Sequence, residues 1–348
     1  MTVASGWLIF PPGPYGPEGS IRLDIRQRLL DFLGGEGVFH PIEEIASSLG
    51  LDVRHATELL GEMSRSGTRI SEIPGRGFGL GAVTDILFEH EILRYLRTRE
   101  FGRHIVFRHD VSSTNSLAMA LAENGQLQGT AVVADRQTGG RGRMGRNWAS
   151  PAGVNLYLSL ILRPELPPAA VSEVPIVIAV AVARTLERQD PPVKTGIKWP
   201  NDMYHEGKKL GGILCEMRTS ANHIQFLVAG IGINVNMVDM TEEISGTATS
   251  MVLASGKTYL RPLLAADLLE ELEAAWDVWT TAGNLDPFIA PWIERSVLEG
   301  RAVRVVTQTG TIEGIADGLA PSGALRLRME DGSVREVYSG DAHIGPLR

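Results

Sequence analysis

The sequence has almost no cysteine and no long apolar run. Its 348 residues include one cysteine, Cys215, so no disulfide bond can form within the chain, and no cysteine cluster is present to hold a metal. No stretch of about 18 apolar residues occurs, which argues against a membrane-spanning helix. We expect a protein of a reducing, cytoplasmic compartment with no membrane partner.

A surplus of positive charge is also missing. Lysine and arginine number 33 against 41 aspartates and glutamates, which gives a net charge of −8. A protein that mainly coats nucleic acid needs the opposite balance, although local basic patches remain open. The length favours two or three domains rather than one.

The N-terminal part of the chain predicts a small helical domain. Residues 1–19 form an extension whose repeated prolines exclude helix and central strand. Apolar residues at helical spacing then predict three helices, over 21–33, 42–49 and about 53–66. A strand–turn–strand pattern follows over 70–80. Three helices and a hairpin are typical of a winged helix-turn-helix domain, here residues 20–83.

The rest of the chain alternates between extended and helical patterns. Residues 84–298 contain β-branched and aliphatic runs that predict strands at 105–108, 131–135, 156–162, 213–217 and 226–233. Helical patterns predict a connector and three helices, at 84–98, 115–124, 169–188 and 260–282. This mixture favours an α+β domain with one large mixed sheet. Short β-rich runs within residues 299–348 predict a small C-terminal β-barrel.

A segment rich in glycine and arginine carries the first sign of chemistry. Residues 139–146, GGRGRMGR, contain four glycines and three arginines. Such a segment forms no stable helix, whereas glycine lets backbone N–H groups approach an anion, and arginine binds phosphate oxygens through its planar fork. We predict a phosphate-binding loop that orders over a bound nucleotide. The alternatives are a solvated flexible loop and a basic RNA-binding tail.

A second segment with chemical potential is KWPND, residues 198–202. Because Pro200 disfavours helix at Trp199, we predict a strand that ends in a loop. Lys198 and Asp202 can then point into one cleft, where the lysine would hold an attacking carboxylate next to an α-phosphate. The alternative is an ordinary surface lysine at the end of a strand.

Two later segments combine strand patterns with glycine. In residues 208–216, KKLGGILCE, the paired glycines bring backbone against whatever fills the cleft, and Cys215 is a small core residue rather than a nucleophile. In residues 230–236, GIGINVN, the period-two pattern puts both glycines, Asn234 and Asn236 on one face of a strand. That face has room for a ligand, or alternatively packs against a close helix.

The segment DVSSTN, residues 110–115, precedes a helical pattern. Ser113 or Thr114 is a suitable N-cap. The N–H groups at the start of a helix can also contact a ligand, so capping and ligand binding are compatible here.

In the order in which they follow along the chain, the segments resemble the motifs of the biotin–protein ligases. The resemblance rests on STN, on RQT leading into GRGRMGRNW, and on KWPND, KLGGILCE and GINVN, and it covers about residues 105–236. A winged helix before this region and a small barrel after it are similar to the bifunctional form of the family. The resemblance implies a catalytic domain like the class II synthetases and an SH3-like C-terminal barrel.

The family's reaction has two steps. Biotin carboxylate attacks the α-phosphate of MgATP to give biotinyl-5′-adenylate and pyrophosphate, and a lysine of a biotin carboxyl carrier protein then attacks the adenylate. The resemblance therefore implies a biotin–protein ligase with ATP and Mg²⁺ as cofactors and with biotin and the carrier protein as partners. It also implies a homodimer formed through the catalytic sheet, and a repressor of the biotin operon that binds operator DNA.

The resemblance also implies roles for single residues. Lys198 would be the cation that joins carboxylate and α-phosphate, Arg143 would belong to the lid over the adenylate, and Asp202 is a candidate for metal contact. The implied biotin contacts are Ser113, Thr114, Asn115, Gln137, Gly140, Arg141, Arg143, Lys198, Gly212, Ile213 and Leu214. The implied nucleotide contacts are Arg143, Arg146, Trp148, Asn201, Asn234 and Asn236.

The predicted winged helix has a weak electrostatic signal. Residues 20–83 carry seven basic and nine acidic side chains, although phosphate neutralisation dominates DNA affinity. Arg54 and His55 nevertheless stand at the start of the recognition helix, and Arg69 and Arg76 belong to the wing. We favour operator binding over a winged helix kept only for structure or dimerisation.

Three other functions agree with parts of the sequence. Lipoate ligases share the fold and the adenylation chemistry, but the Gly/Arg segment and KWPND match the biotin branch. A biotin-sensing transcription factor without ligase activity would not need Lys198 and all three arginines. An RNA-binding Gly/Arg protein disagrees with the acidic balance.

Overall fold

The structure is a computed structural model that describes residues 17–34, 37–65, 68–81, 84–165, 168–220, 223–242 and 244–345. The chain divides into two compact units, with the boundary after Thr84. Most of the predicted N-terminal extension, up to residue 16, lies outside the described residues. Within the described ranges, no helix combines the length and apolar character needed to cross a bilayer.

The first unit contains the three helices and the hairpin that the sequence predicts. Its elements are α1 (Pro17–Leu33), α2 (Ile42–Leu49), α3 (Val53–Arg65), β1 (Ile70–Ile73) and β2 (Gly77–Leu80). The two strands pair antiparallel, and β2 is also bridged to His40. Leu29, Leu33, Ile45 and Ala56 are fully buried, because their helical spacing puts them on the inner faces of the helices.

The second unit is built on a seven-stranded sheet. Its strands are β3 (Ile105–Val111), β4 (Ala131–Gln137), β5 (Leu156–Leu162), β6 (Gly196–Lys198), β7 (Asp202–His205), β8 (Lys208–Ser220) and β9 (His223–Ile233). They are hydrogen-bonded in the order β3-β4-β5-β9-β8-β7-β6. The β3–β4 pair is parallel and the other pairs are antiparallel. The predicted mixed sheet is therefore confirmed. Strand β6 is the one predicted to end at KWPND, and β7 is an addition.

Helices cover this sheet and connect its strands. They are α4 (Glu89–Leu93), α5 (Thr114–Glu123), α6 (Val174–Glu187), α7 (Met251–Ser255), α8 (Arg261–Ala282) and α9 (Asp286–Arg295). Helix α6 packs against α8 and α9 and is buried along most of its length, in keeping with its almost uniformly apolar sequence. The predicted connector helix over 84–98 is much shorter in the structure, where it is limited to α4.

The last part of the chain forms a five-stranded antiparallel sheet. Its strands are β10 (Ala302–Thr307), β11 (Gly310–Leu319), β12 (Leu325–Arg328), β13 (Val334–Val337) and β14 (Asp341–Ile344). They pair in the order β13-β12-β11-β10-β14. In the described part of the chain no pairing joins β13 to β14, so strand pairing does not close the predicted barrel. Strand β14 is not predicted from the sequence, because its residues, DAHI, lack the β-branched run that indicates a strand.

One carboxylate of α8 holds the turn that follows the predicted connector helix. Glu273 accepts hydrogen bonds from the backbone N–H groups of Arg99, Glu100 and Phe101, at 2.8, 2.7 and 2.9 Å. Burial acts to raise the pKa of Glu273, but these three bonds and the Arg99 charge outweigh it, so the pKa is lowered. The same three bonds hold the segment before β3 as a turn, because its N–H groups point to the carboxylate instead of along a helix axis.

We expect Glu273→Gln to destabilise the protein by roughly 1–3 kcal/mol at neutral pH, since an ionised acceptor of several N–H bonds is lost. The folded-state pKa is lowered, so the carboxylate stabilises the fold above its unfolded-state pKa, and this stabilisation is lost as the pH falls through the folded-state value. The urea midpoints of variant and wild type should therefore differ at neutral pH and converge below about pH 4. Glu270→Gln, at an exposed position of the same helix, is the control. A constant difference at both pH values would contradict the role of the charge.

Candidate active site

One cleft in the second unit collects most of the predicted site residues. This main cleft lies over β8 and β9 and encloses about 770 Å³, its open mouth included. The predicted residues that line it are Ser113, Thr114, Asn115, Gln137, Arg141, Arg143, Arg146, Trp148, Asn201, Asp202, Gly212, Ile213 and Leu214. Segments that are far apart in the sequence thus meet in one place.

The start of α5 forms a polar end of the main cleft. Ser113 is the N-cap, and its hydroxyl accepts from the backbone N–H of Ser116 at 3.4 Å. The side-chain oxygen of Gln137 accepts from the N–H and from the hydroxyl of Thr114, at 2.9 and 3.1 Å. The amide nitrogen of Gln137 donates to the hydroxyl of Ser150 at 3.0 Å. These bonds fix the Gln137 amide in one orientation.

Asn115 connects α5 to the floor of the main cleft. Its Nδ2 donates to the carbonyl of Leu214 at 3.1 Å and to the carboxylate of Glu216 at 2.8 Å, and its Oδ1 accepts from the hydroxyl of Ser159 at 2.6 Å. Asn115 and Ser159 are buried, so these bonds form away from competing water. This end of the cleft is therefore preorganised before any ligand binds.

Two glycines of β9 make the floor. A Cβ at Gly230 would overlap the amide of Asn115, and a Cβ at Gly232 would lie 2.8 Å from Nε1 of Trp148. The two larger side chains therefore rest directly on the backbone of β9. Nε1 of Trp148 is buried and has no hydrogen-bond partner among the described residues. Because a buried donor without a partner is costly, this N–H is suited to an acceptor on a ligand.

The Gly/Arg segment forms a small hairpin, residues 140–148. The carbonyl of Gly140 accepts from the N–H of Trp148 at 2.9 Å, and the N–H of Gly142 donates to the carbonyl of Arg146 at 2.7 Å. Gly140 does not line the main cleft, but a Cβ there would lie 2.6 Å from the Trp148 carbonyl. Glycine is required at position 140 because the two arms of the hairpin approach each other so closely there.

Each arginine of this hairpin has its own partner. The contacts are Arg141 with Ser116 and Glu216, Arg143 with Asn201 and the carbonyl of Gly340, and Arg146 with Asp341. Both hydrogen bonds of Arg143 measure 3.3 Å, and burial lowers its pKa from the usual value. The arginines thereby tie the hairpin to α5, to the loop before β7 and to the C-terminal sheet, and hold it over the cleft.

The lysine that reaches the main cleft is Lys209. Its Nζ lies 2.7 Å from Oδ1 of Asp202 and 5.3 Å from the centroid of the Trp148 ring. The side chain extends across Gly212, where a Cβ would lie 3.5 Å from the lysine Cε. The sequence patterns predict no role for Lys209. The pattern that could have identified Lys209 is a lysine three residues before a strand glycine, in KKLGG. Because Gly212 has no side chain, it leaves room for the lysine.

Lys198 lies outside the main cleft. It ends β6, and its Nζ is 3.5 Å from the hydroxyl of Tyr204 and 5.4 Å from the centroid of that ring, in the wall of a second cavity. The register of β6 and β7 pairs Lys198 with Asp202. Since β6 is the outermost strand, Lys198 stands one strand farther from β8 than Asp202 does.

The two predicted asparagines also lie outside the main cleft. Asn234 donates to the carbonyl of Thr249 at 2.9 Å, and Asn236 bonds both the N–H and the carbonyl of Tyr259. Strand β9 ends at Ile233, so the period-two alternation does not continue to these residues. The asparagines instead hold the loop that follows the strand.

The two aspartates of the main cleft are paired with cations. Asp202 pairs with Lys209, and Asp341 pairs with Arg146. Over the described ranges, no group of three His, Cys, Asp or Glu side chains is placed to hold a metal ion. Magnesium bound to a nucleotide needs only one or two carboxylates, because phosphate and water oxygens complete its shell. The donors present fit magnesium that arrives with a nucleotide.

The four predicted DNA contacts are exposed on the first unit. Arg54 lies 3.0 Å from Nε2 of His55 at the start of α3. Arg76, in the turn of the hairpin, lies over the ring of Phe39 at 5.3 Å. Arg69 precedes β1.

Two family models match the chain. The model of the biotin/lipoate A/B protein ligase family matches residues 107–234, and that of the biotin protein ligase C-terminal domain matches residues 300–345. The first match spans the strands and loops that build the main cleft. The second spans the C-terminal sheet.

Individual proteins are similar over most of the chain. The bifunctional ligase/repressor BirA of Bacillus subtilis is 33% identical over 328 residues, which cover 93% of this chain and 100% of that protein. BirA of Escherichia coli is 32% identical and covers 88% of this chain and 92% of its own length. The structure of the biotin protein ligase from Aquifex aeolicus in complex with biotin and ATP has a TM-score of 0.61 at 31% identity, covering 70% of this chain and 98% of that one. The chain belongs to the biotin protein ligase family.

Proposed function

We propose that the protein is a biotin–protein ligase that makes biotinyl-5′-adenylate from biotin and ATP and transfers the biotin to a lysine of a biotin carboxyl carrier protein. The main cleft carries this proposal: a lysine, a lid of arginines and a free indole N–H surround a preorganised polar end. The relatives named as biotin ligases and the related structure described with biotin and ATP support the same reaction.

The polar end of the main cleft suits the ureido ring of biotin. That ring has one carbonyl acceptor and two N–H donors, and Thr114, Asn115 and Gln137 offer both kinds of group in fixed orientations. A neutral ring is favoured here because Thr114, Asn115 and Gln137 present hydroxyl and amide groups. The acyl chain of biotin then runs along the backbone of residues 212–214 towards Lys209.

Lys209 is the cation we assign to the adenylation step, in place of Lys198. The step brings two anions together, the biotin carboxylate and the α-phosphate, so it depends on alignment and on neutralisation of charge. Two groups next to Lys209 assist it: Asp202 orients its ammonium group, and Trp148 offers Nε1 as a donor to the adenylate.

Asp202 and Asp341 are the residues that would hold magnesium. Magnesium bound with ATP supplies charge neutralisation at the phosphates. Asp202 and Asp341 would be available to it once Lys209 and Arg146 turn to the phosphate oxygens.

The hairpin 140–148 is the lid that retains the adenylate. Arg143 joins it to Asn201 on one side and to Gly340 on the other. A closed lid keeps the mixed anhydride away from water and from lysines other than that of the carrier.

We also propose that the protein represses transcription. In this assignment, residues 20–83 are a winged helix-turn-helix that binds operator DNA, residues 84–298 the ligase domain, and residues 299–348 an SH3-like barrel. The three helices and hairpin of the first unit support it, as do relatives named ligase/repressor. A homodimer through the edge strand β3 would present two such units to a palindromic operator.

We expect Lys209→Met to lower the rate of adenylate formation about 10²–10³-fold, or roughly 3–4 kcal/mol, because one preorganised donor is lost. Biotin-dependent exchange of labelled pyrophosphate into ATP measures this rate. Lys208→Met is the matched control, since Lys208 is exposed and does not line the main cleft. Equal rates for the two variants would remove Lys209 from the mechanism.

Arg143→Gly should release the adenylate, because the lid loses its bonds to Asn201 and Gly340. We expect biotin to appear on lysines of an added bystander protein, detected by streptavidin blot, while adenylate formation continues. Met144→Ala, at an exposed position of the same hairpin, should leave labelling at background. Background labelling with Arg143→Gly as well would show that the hairpin does not retain the adenylate.

A biotin-operon promoter fragment should be retarded by the protein at low salt, and more strongly when biotin and ATP are present. Arg69→Ala and Arg76→Ala should each weaken binding and reduce the slope of log affinity against log salt by about one, as loss of a phosphate contact does. Arg65→Ala, at the far end of α3 from Arg54, serves as the comparison. If no retardation occurs at low salt, operator binding is excluded.

A further inference from the structure

A fully buried hydroxyl lies behind the polar end of the main cleft. Ser159 on β5 is buried and does not line the cleft. The strand register pairs it with Gly230 of β9, and the amide of Asn115 fills the space that a Cβ of Gly230 would need. The Ser159 hydroxyl thereby reaches two residues of the polar end. It lies 2.8 Å from the hydroxyl oxygen of Thr114 and 2.6 Å from Oδ1 of Asn115.

The two amides next to these hydroxyls each have a fixed orientation. The side-chain nitrogen of Asn115 donates to a carbonyl and to a carboxylate, so Oδ1 is the atom that faces Ser159. Oε1 of Gln137 accepts from the backbone N–H of Thr114, so the same oxygen faces the Thr114 hydroxyl, at 3.1 Å. Amide oxygens carry no hydrogen. The oxygen–oxygen contacts among these four side chains therefore depend on the hydrogens of the two hydroxyls.

These contacts need more hydrogens than the four side chains have. The oxygen–oxygen pairs at hydrogen-bond distance are Gln137 with Thr114, Thr114 with Ser159, and Ser159 with Asn115. The two hydroxyls supply one hydrogen each. The Ser159 hydrogen belongs to Asn115, because that contact is the shortest of the three and Oδ1 of Asn115 has no hydrogen of its own. The Thr114 hydrogen then has two acceptors, Oε1 of Gln137 and the oxygen of Ser159, and can bond only one of them at a time.

We propose that Ser159 is a positioning residue that makes the cleft select a substrate ring with an N–H group. This proposal rests on the biotin ligase function above. When a ligand N–H approaches Oε1 of Gln137, the Thr114 hydroxyl turns its hydrogen to Ser159, and Gln137 accepts from the ligand instead. The exchange is favourable because the Thr114–Ser159 distance of 2.8 Å is ordinary for an O–H···O bond, whereas the Thr114–Gln137 distance of 3.1 Å is long.

Without the Ser159 hydroxyl the same approach becomes unfavourable. Among the four side chains the Thr114 hydrogen would have Gln137 as its one acceptor, and the ligand N–H would compete for that oxygen. Thr114 is buried, so displacing its hydrogen would leave a buried donor without a partner, which is costly. This cost arises for a ring that presents an N–H and not for a ring without one. A site completed by a ligand hydrogen bond discriminates strongly against ligands that lack the donor.

Calorimetric titration of the full-length protein with biotin tests this proposal. For Ser159→Ala we expect the Kd for biotin to rise roughly tenfold to hundredfold, as a buried hydroxyl left without a partner requires. In the Thr114→Val background the same change should alter the Kd less than about twofold, because the competing hydrogen is absent. Two cyclic carbamate analogues of biotin, in each of which a ring oxygen replaces one N–H, identify the N–H involved, since the analogue that lacks it should bind both proteins about equally.

Matched variants separate this role from a loss of packing. Thr185→Val removes a buried hydroxyl of α6 that bonds within its own helix, and it should leave the Kd for biotin unchanged. At saturating biotin, Ser159→Ala should keep the wild-type rate of pyrophosphate exchange, because Ser159 acts on binding alone. If Ser159→Ala does not fold, Ser159→Cys takes its place in the cycle, since a thiol is a weaker donor and acceptor than a hydroxyl.

Other outcomes would overturn the proposal. If Ser159→Ala weakens the binding of biotin and of both analogues by the same factor, Ser159 only packs behind the cleft. If its effect on biotin persists in the Thr114→Val background, the Thr114 hydrogen is not the cause. If Ser159→Ala leaves biotin binding unchanged, the buried hydroxyl has no influence on the ligand. If the wild-type protein binds no biotin, the proposed function itself fails, and the role of Ser159 fails with it.

Discussion

The contact between two side chains and the bare backbone of β9 is the constraint on which the main cleft depends. Asn115 and Trp148 occupy the space that a Cβ at Gly230 or Gly232 would need. One of them places the start of α5, and the other places the end of the Gly/Arg hairpin. A side chain at either glycine would therefore move a wall of the cleft, and close packing leaves the neighbouring elements little freedom to compensate.

The charges of the site are arranged so that the cleft is nearly neutral before a nucleotide arrives. Lys209 and Arg146 each have an aspartate partner, which reduces the cost of holding cations in a partly buried place. In the proposed reaction, phosphate and magnesium would replace both partners at once, because the cations would turn to phosphate oxygens and the aspartates to the metal.

The sequence predicts most of the fold because much of it follows from local patterns. The helices of the first unit and strands such as Leu156–Leu162 appear where apolar periodicity places them. The prediction fails where tertiary contacts override that periodicity. The predicted connector helix is limited to α4. The turn after it is held by the carboxylate of Glu273, which accepts from three N–H groups there and lies more than 170 residues away in the chain.

The sequence by itself indicates which segments form the site, because patterns of glycine with arginine or lysine build neither a stable helix nor a packed core and are suited to binding anions. The tertiary structure alone decides which lysine enters the main cleft. The pairing of β7 with β8 contains a bulge that passes over Leu210, so that Tyr204 is opposite Lys209 and Met203 opposite Gly211. In a regular strand Lys209 and Gly212 would point to opposite faces. One extra residue in the ladder reverses this alternation, and it brings Lys209 across Gly212 to Asp202 while Lys198 stays on the outer strand.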